Sequence, residues 1–368
     1  MKDFEYWNRR FREQELVEFN TDCLGLLWLK LKSISRKDTL PVFCGKCAFQ
    51  TTSTRLEGMF RELYTHLSSS AEQAHAEVDA FIRETATKEL GKVDIASIES
   101  NLFKVHSFEW GGDYRNSLDK GLVSTYVKTD SIIPFEQLSA AFENEIKTAA
   151  SRYVVNSWYN YWSSVLTEWL FKTHPSVLPT VGKIRNVDFF VKSIPFDLKV
   201  TYLPKEYVHN QARRLKLPTE LSLLKSVAKQ CEISYDHRSS PCDCHYELAE
   251  KFKNKPEPIC RQTLSTIQQN RLTLLHHATT HKAELIKWLY ENQGEMRFGA
   301  ENRLFVVLVD SGNFEDSWKL KRDLSFLDSP IRSYLDGFSG DKLESMRTVF
   351  SYKGTTFTAF SDIIFIVK

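Results

Sequence analysis

The 368-residue chain predicts an α/β fold, and three observations carry that prediction. A long apolar helical stretch at 151–172 is followed by two short extended runs rich in Val, Ile, Phe and Thr. Helical spacing then returns over about 214–298. Finally, Arg303–Asp310 is a continuous apolar run of strand length, the pattern of a strand covered on both faces. Helix, hairpin, helical crossover and buried strand together describe an α/β core with a large insertion.

The elements follow in order. Residues 5–18, 54–70 and 71–90 carry helical spacing with mixed charge, and Gly111, Gly112 and Gly121 break the stretch at 100–130. The first third, 1–133, therefore reads as a mostly helical accessory or recognition region, and 134–368 as the core interrupted at about 214–298. Residues 135–149 and 151–172 predict helices. In the second, Val154, Trp158, Trp162, Val165 and Trp169 adjoin a row of Val155, Tyr159, Leu166 and Leu170. Apolar residues over so much of its circumference predict burial on most sides. His174-Pro175 ends it, because the residue before proline resists the helical conformation. The extended runs are Ile184–Val191 and Pro195–Leu203, and Thr355–Val367 closes the chain as another strand.

Composition limits the function. Hydrophobic residues make up 42% of the chain, enough for a sizeable core and too many for wholesale disorder. Lys plus Arg number 49 against 47 Asp plus Glu, a net charge of +2 that argues against binding through bulk basic charge and leaves a local basic channel open. No apolar run is long enough to span a bilayer, and Met-Lys-Asp-Phe-Glu has no signal-peptide core. Seven scattered cysteines, an odd number, fit a reducing compartment, so a cytoplasmic protein without membrane partners is expected. Neither a phosphate loop nor GxGxxG occurs, so no nucleotide cofactor is expected.

The informative stretch runs from Asn186 to Val200. Asp197 and Lys199 are two apart on a strand and share a face. If Lys192-Ser193 forms a two-residue turn, Val191 opposes Ile194, and counting outward sets Asp188 opposite Asp197. Directly opposed residues have Cβ atoms only about 5 Å apart, where like charges destabilise. Two carboxylates among Val, Phe and Leu call for a cation, and Mg²⁺, which takes oxygen ligands from carboxylates and substrate phosphate, is the obvious one. The Leu198 carbonyl offers a further oxygen, and Lys199 can face a phosphate or orient an attacking water. Glu168 is the only acid between Glu145 and Asp188, and it rides the apolar helix on the row Ser157, Tyr161, Ser164. A lone carboxylate there is costly unless paired or metal-bound.

Glu168, Asp188 and Asp197-Leu198-Lys199 resemble the motif of the PD-(D/E)XK nuclease superfamily, most of all type II restriction endonucleases. The resemblance covers about residues 150–203, with a weaker echo at Arg303–Asp310. It implies a restriction-endonuclease-like core, a mixed sheet flanked by helices. It also implies Mg²⁺-dependent hydrolysis of DNA phosphodiesters, with Mn²⁺ able to substitute, in a restriction or defence role. Under it Asp188, Asp197 and the Leu198 carbonyl hold the metal, Glu168 joins them from the helix, and Lys199 orients water or stabilises the transition state. Val187 stands where the family has Pro, and Asp197 where it often has Glu; both are tolerated there. Double-stranded DNA as partner and a homodimer follow from the family habit.

Other features carry weaker expectations. From Lys199 to Lys229 seven cations face two acids, so Lys205, Arg213, Arg214 and Lys216 are candidates for phosphate contacts, or a solvated basic face. Gln269 and Arg271, on one predicted helix, are residue types that contact DNA phosphates or read bases. Tyr6 to Arg12 interleaves aromatic and basic residues, as a nucleic-acid surface or an amphipathic helix start does. Cys44/Cys47 and Cys242/Cys244/Cys260 with His245 contain zinc-ligand types, but neither shows a complete set of four, which favours free thiols over structural zinc. His277 and His281 form HxxxH without the glutamate of a metalloprotease. The alternative from another class is a non-catalytic nucleic-acid-binding or assembly protein on a nuclease-like scaffold.

Overall fold

A computed structural model describes residues 2–13, 17–108, 134–292, 302–340, 343–352 and 354–368. Its centre is a six-stranded mixed sheet in the order β1-β2-β3-β4-β6-β5. The strands are β1 Val177–Ile184, β2 Val187–Val191, β3 Ile194–Tyr202, β4 Arg303–Val309, β5 Arg347–Tyr352 and β6 Thr355–Val367. β1, β2 and β3 form an antiparallel meander, β3, β4 and β6 run parallel, and β5 folds back antiparallel at the far edge. The parallel pairs need crossovers, and the chain supplies helices for them.

The hairpin expected at Lys192-Ser193 is present. Val191 pairs with Ile194, and both turn residues adopt positive φ, 45° and 72°, as a type I′ turn requires. β4 is buried along its whole length, as its unbroken apolar run predicts. β1 and β5 were not separated from their surroundings in the sequence. β1 includes Pro179 and a register slip before Ile184, which obscure its alternation.

Three helical layers cover the sheet. On one face, α8 (Lys147–Lys172) and α14 (Leu324–Asp336) pack Leu170, Phe171, Leu327, Ile331 and Leu335 against Phe196, Leu304, Val306 and Leu308. On the other face of β4 and β6, Phe305, Val307, Val309 and Ile363 meet the β3–β4 crossover: α9 (Lys205–Arg214), α12 (Pro258–Thr280) and α13 (Lys282–Asn292). Two further crossover helices, α10 (Glu220–Gln230) and α11 (Pro241–Lys253), close a small core of their own with α12. The crossover thus begins at Lys205, a few residues earlier than the spacing suggests.

The N-terminal region contains α1 (Phe4–Arg12), α2 (Cys23–Ile34), α3 (Leu40–Lys46), α4 (Leu56–Leu67), α5 (Ala71–Leu90) and α6 (Ile95–Leu102). Its helices are not an appendage: Trp7, Trp28, Leu31, Val78 and Ile82 share one core with Leu178, Ile184, Val187 and Phe190 of the first two strands. The approach is close at Gly182, where an added Cβ would stand 2.8 Å from the Ser33 carbonyl. Tyr6 accepts a hydrogen bond from Arg10 and donates one to Glu18, so the aromatic-basic run closes on its own neighbourhood. The breakers at Gly111, Gly112 and Gly121 lie outside the described residues.

The expected burial of α8 on most sides is corrected. Tyr159, Leu166, Leu170 and Phe171 are buried, but Val154, Val155, Trp158 and Tyr161 are 39–60% exposed. Asn156, Tyr159 and Ser163 are buried on the same turns, so the helix packs along one side there and leaves Val154, Val155, Trp158 and Tyr161 on the side its neighbours do not reach. Short α7 (Phe135–Ala141) and a π-helical turn, Phe142–Ile146, lead into it.

The turn generates a direct test. Replacing Lys192-Ser193 by Asn-Gly, which tolerate positive φ better, raises stability by about 0.5–1 kcal/mol. The readout is a higher urea midpoint at unchanged slope.

Candidate functional site

Where β2 and β3 part company, the acids gather. Their register runs Val191↔Ile194, Phe190↔Pro195, Phe189↔Phe196 and ends there; beyond it Asp188 and Asp197 lie near enough for the charge of one to act on the other. Alternation puts Phe189 and Phe196 into the core under α8 and turns Asp188, Asp197 and Lys199 to the opposite face. There the N-terminal helices cover β1 and β2 while the crossover helices cover β4 and β6. The acids occupy the seam between these two layers.

Asp188 takes over where the ladder stops. Asp197 N–H donates to the Asn302 carbonyl on the β4 side, at 2.9 Å. Leu198 N–H therefore points back toward β2, and Asp188 Oδ2 accepts it at 2.8 Å. The Leu198 carbonyl, on the same edge of the strand, projects toward the same gap. A buried donor left by strand divergence thus receives a carboxylate instead of a backbone carbonyl.

The electrostatics are lopsided. Burial first, then the charges of Asp197 and Glu168, push the Asp188 carboxyl up to about 7; the Leu198 N–H and Lys172 offset only part of this. Glu168, on the last turns of α8, pairs with Lys172 at 2.8 Å, and Asp197 Oδ2 lies 3.1 Å from Arg303 Nε. Neither aspartate is turned out into bulk water: Asp188 is half-buried, and the Asp197 side chain is 26% exposed. Lys199 is half-buried on the same face as Asp197, one pleat along, and pairs across β3–β4 with Phe305.

The structure thus brings Asp188, Asp197 and Leu198 together, leaves Lys199 one pleat along β3, and keeps Glu168 on the α8 side of the sheet, from where its charge still reaches Asp188. It does so with each acid separately engaged, and among the described residues no three His, Cys, Asp or Glu side chains converge in ligating geometry. The donor chemistry nevertheless suits a hard divalent cation: carboxylate and carbonyl oxygens, with Asp188 having no ion pair among the described residues.

Two neighbours escaped the sequence reading. Lys172 was legible as the residue four after Glu168 on a helix. Arg303 was visible only as a charge opening an apolar strand; its role depends on the parallel register Asp197↔Arg303, which no local pattern predicts.

The proposed nucleic-acid contacts divide. Lys205, Arg213, Arg214, Lys216 and Gln269 are exposed. Lys205 pairs with Glu315 at 2.8 Å and Arg214 with Glu284 at 3.5 Å, both across exposed surface where such pairs contribute little. Arg271 is corrected. It is 7% exposed and forks onto Glu220, Nε–Oε1 at 2.6 Å and Nη2–Oε2 at 2.5 Å, with Nη1 on the Gly312 carbonyl. His245 Nε2 meets the same carboxylate at 2.8 Å. Burial alone would push Glu220 up, but hydrogen bonds from His245 and Arg271 outweigh it and hold the carboxyl below its usual range. Arg271 is therefore a structural clamp between the crossover helices and the turn after β4, not a base reader.

The cysteine side chains described are free thiols. Cys44 sits in the N-terminal core, and Cys47 donates toward Glu77 at 3.8 Å. Cys244 Sγ donates to the Asp236 and Ser239 carbonyls, and Cys260 is fully buried. The side chain of Cys242 lies outside the described residues. His277 and His281 stack, with ring centroids 4.2 Å apart.

Comparison with protein-family models, curated proteins and solved structures returns no match to this chain. No helix among the described residues is long and apolar enough to cross a membrane.

The raised Asp188 carboxyl sets a pH dependence. The folded chain holds that proton up to about pH 7, while the ordinary value is 3.8. Folded molecules then bind more protons than unfolded ones between those limits, so stability falls as pH rises through the window. Asp188→Asn removes this penalty and keeps an oxygen for Leu198 N–H. At pH 8 in EDTA the variant should be more stable than the wild type by about 1–3 kcal/mol, a discount on the full shift because the carboxyl is only partly buried. By pH 4 the advantage should vanish. Urea denaturation at the two pH values measures it, and equal stability at pH 8 would contradict the assignment.

Proposed function

We propose that the protein is a Mg²⁺-dependent endonuclease that hydrolyses DNA phosphodiester bonds, with a restriction-endonuclease-like core and a restriction or defence role. One observation carries the proposal: the Asp188 carboxylate sits in the gap beside Leu198, held by a neutral backbone donor, where burial and the charge of Asp197 penalise it in a way a bound cation would relieve. The order of elements supports it, since an acid-bearing helix, a hairpin with opposed acids, a helical crossover and a buried strand occur in the sequence the motif requires.

Asp188 Oδ1, Asp197 and the Leu198 carbonyl would hold the cation, with Glu168 approaching from α8. When bound, the metal lowers the pKa of a coordinated water and neutralises charge developing on phosphorus oxygens. The chain's own groups do the rest. Lys199 faces the phosphate from the next pleat, where its ammonium orients water or stabilises charge. The Asp188 side chain stays fixed by the Leu198 N–H. Exposed Lys205, Arg213, Arg214, Lys216 and Gln269 contact the sugar-phosphate backbone. Mn²⁺ can replace Mg²⁺, and cutting both strands of a duplex calls for a homodimer.

A second reading has its own support: Lys172, Arg303 and the Leu198 N–H engage the three acids without any metal. On that reading the scaffold binds nucleic acid or a partner without cutting.

Cleavage assays on supercoiled plasmid and on matched RNA, with and without Mg²⁺, separate the readings. Asp197→Ala should abolish cleavage while duplex binding stays within a few-fold. Lys199→Met should lower the rate by about 100- to 1000-fold, the scale for removing one charge-stabilising group. Absence of any Mg²⁺-dependent cleavage of either substrate would favour the non-catalytic scaffold.

A further inference from the structure

The Asp197–Arg303 pair has a consequence for the proposed metal site, and the inference rests on that proposal. Asp197 and Arg303 are register partners on adjacent parallel strands, so their side chains emerge side by side on one face. Their atoms lie 3.1 Å apart, with Arg303 only 7% and Asp197 26% exposed. A buried guanidinium gives up a carboxylate at low cost only where its other contacts still hold it. Tyr290 provides one such contact: its ring centroid is 5.3 Å from Arg303 Cζ. That ring is rigid, fully buried, hydrogen-bonded through its hydroxyl to Ser361 and stacked on Phe350 at 4.6 Å. An aromatic face attracts a planar guanidinium.

We propose that Arg303 is the internal counter-ion of the metal site: it holds Asp197 while the site is metal-free, yields that carboxylate to the entering divalent cation, and remains on the Tyr290 face. Asp188 and Asp197 carry two negative charges, Arg303 and Lys199 two positive, with Glu168 and Lys172 pairing separately. A divalent cation turns this local sum from 0 to +2, so metal and guanidinium repel once both are present. A phosphodiester brings −1 and relieves part of that repulsion. Arg303 thereby keeps metal affinity low in the free protein and ties tight metal binding to the arrival of substrate phosphate, which makes it a positioning residue.

Metal binding to the substrate-free protein tests this without any activity assay. Arg303→Met should bind Mn²⁺ about tenfold more tightly than the wild type in an EPR titration, the size of one modest ion pair removed. Arg303→Lys should stay nearer the wild type, because it keeps a cation beside Asp197. The wild type itself supplies a check that survives if Arg303→Met does not fold. Titrating Mg²⁺ should shift the Arg303 Nε–H resonance in a ¹⁵N spectrum, with the assignment made from Arg303→Lys. An unmoved Nε–H signal at saturating Mg²⁺, or unchanged Mn²⁺ affinity in Arg303→Met, overturns the counter-ion role while leaving the metal site standing. A wild type that binds neither ion removes both.

Discussion

One divergence organises this molecule: β2 and β3 pair as far as Phe189 and Phe196 and then separate. Two strands that kept pairing would satisfy Leu198 with backbone and leave no room between them. Because they part, a backbone donor points into a gap, and a carboxylate fills the place of a carbonyl. The substitution matters chemically, since a carboxylate brings charge into a half-buried seam and a carbonyl does not. The apolar side chains that force β2 and β3 into register, Phe189 and Val191 under α8 and Phe190 under the N-terminal helices, also hold the acids in place. The stacked contact of Phe171 with Phe189, 5.1 Å between centroids, ties the same α8 turn that carries Glu168 to the strand beside Asp188. Packing energy therefore sustains an electrostatic arrangement that would not assemble by itself.

Much of this was legible in the chain. The period-two pattern from Val187 to Val200 and a two-residue centre at Lys192-Ser193 fix which residues oppose which, and a one-residue slip would have put one of the two acids among the phenylalanines. β4 announced itself through seven residues without an exposed position. What escaped notice was non-local. Arg303 acquires its meaning from parallel pairing across a crossover of about a hundred residues, and parallel register has no turn to announce it. Arg271 misled for a related reason: on a helix rich in Gln and Asn it looks like a surface reader, but Glu220, fifty-one positions away, folds onto it. The exposure of Trp158 and Tyr161 was hidden because apolar periodicity reports which residues could be buried, not which sides of the helix its neighbours cover.

The N-terminal region shows how strongly the site depends on distant chain. Without Trp28, Leu31 and Ile82 against it, the Phe190 face of β2 would meet water, and Asp188 on that face would be solvated. Solvation would relax the carboxyl toward its ordinary value and weaken the pull on a cation. The helices that looked accessory therefore help set the charge state of the seam. Asn20 and Asn302, hydrogen-bonded to one another, extend this control to the point where β4 begins, and Asn302 also holds the Pro195 carbonyl.

Two arginine–carboxylate pairs in this chain have similar chemistry and opposite consequences. Arg271 and Glu220 close on each other with both fork nitrogens, and His245 and the Gly312 carbonyl complete the set. Nothing in that cluster gains by admitting a further ion, because each charge already meets its opposite at close range. Arg303 meets Asp197 through Nε, while the neighbouring Asp188 meets only a neutral backbone donor. Asp188 thus sits half-buried on a neutral donor, and a carboxylate so placed takes a proton or takes a cation. The upward push on Asp188 is the proton solution. A divalent ion is the other, and that carboxylate makes the seam, rather than the Glu220 cluster, the place in this fold where chemistry is to be sought.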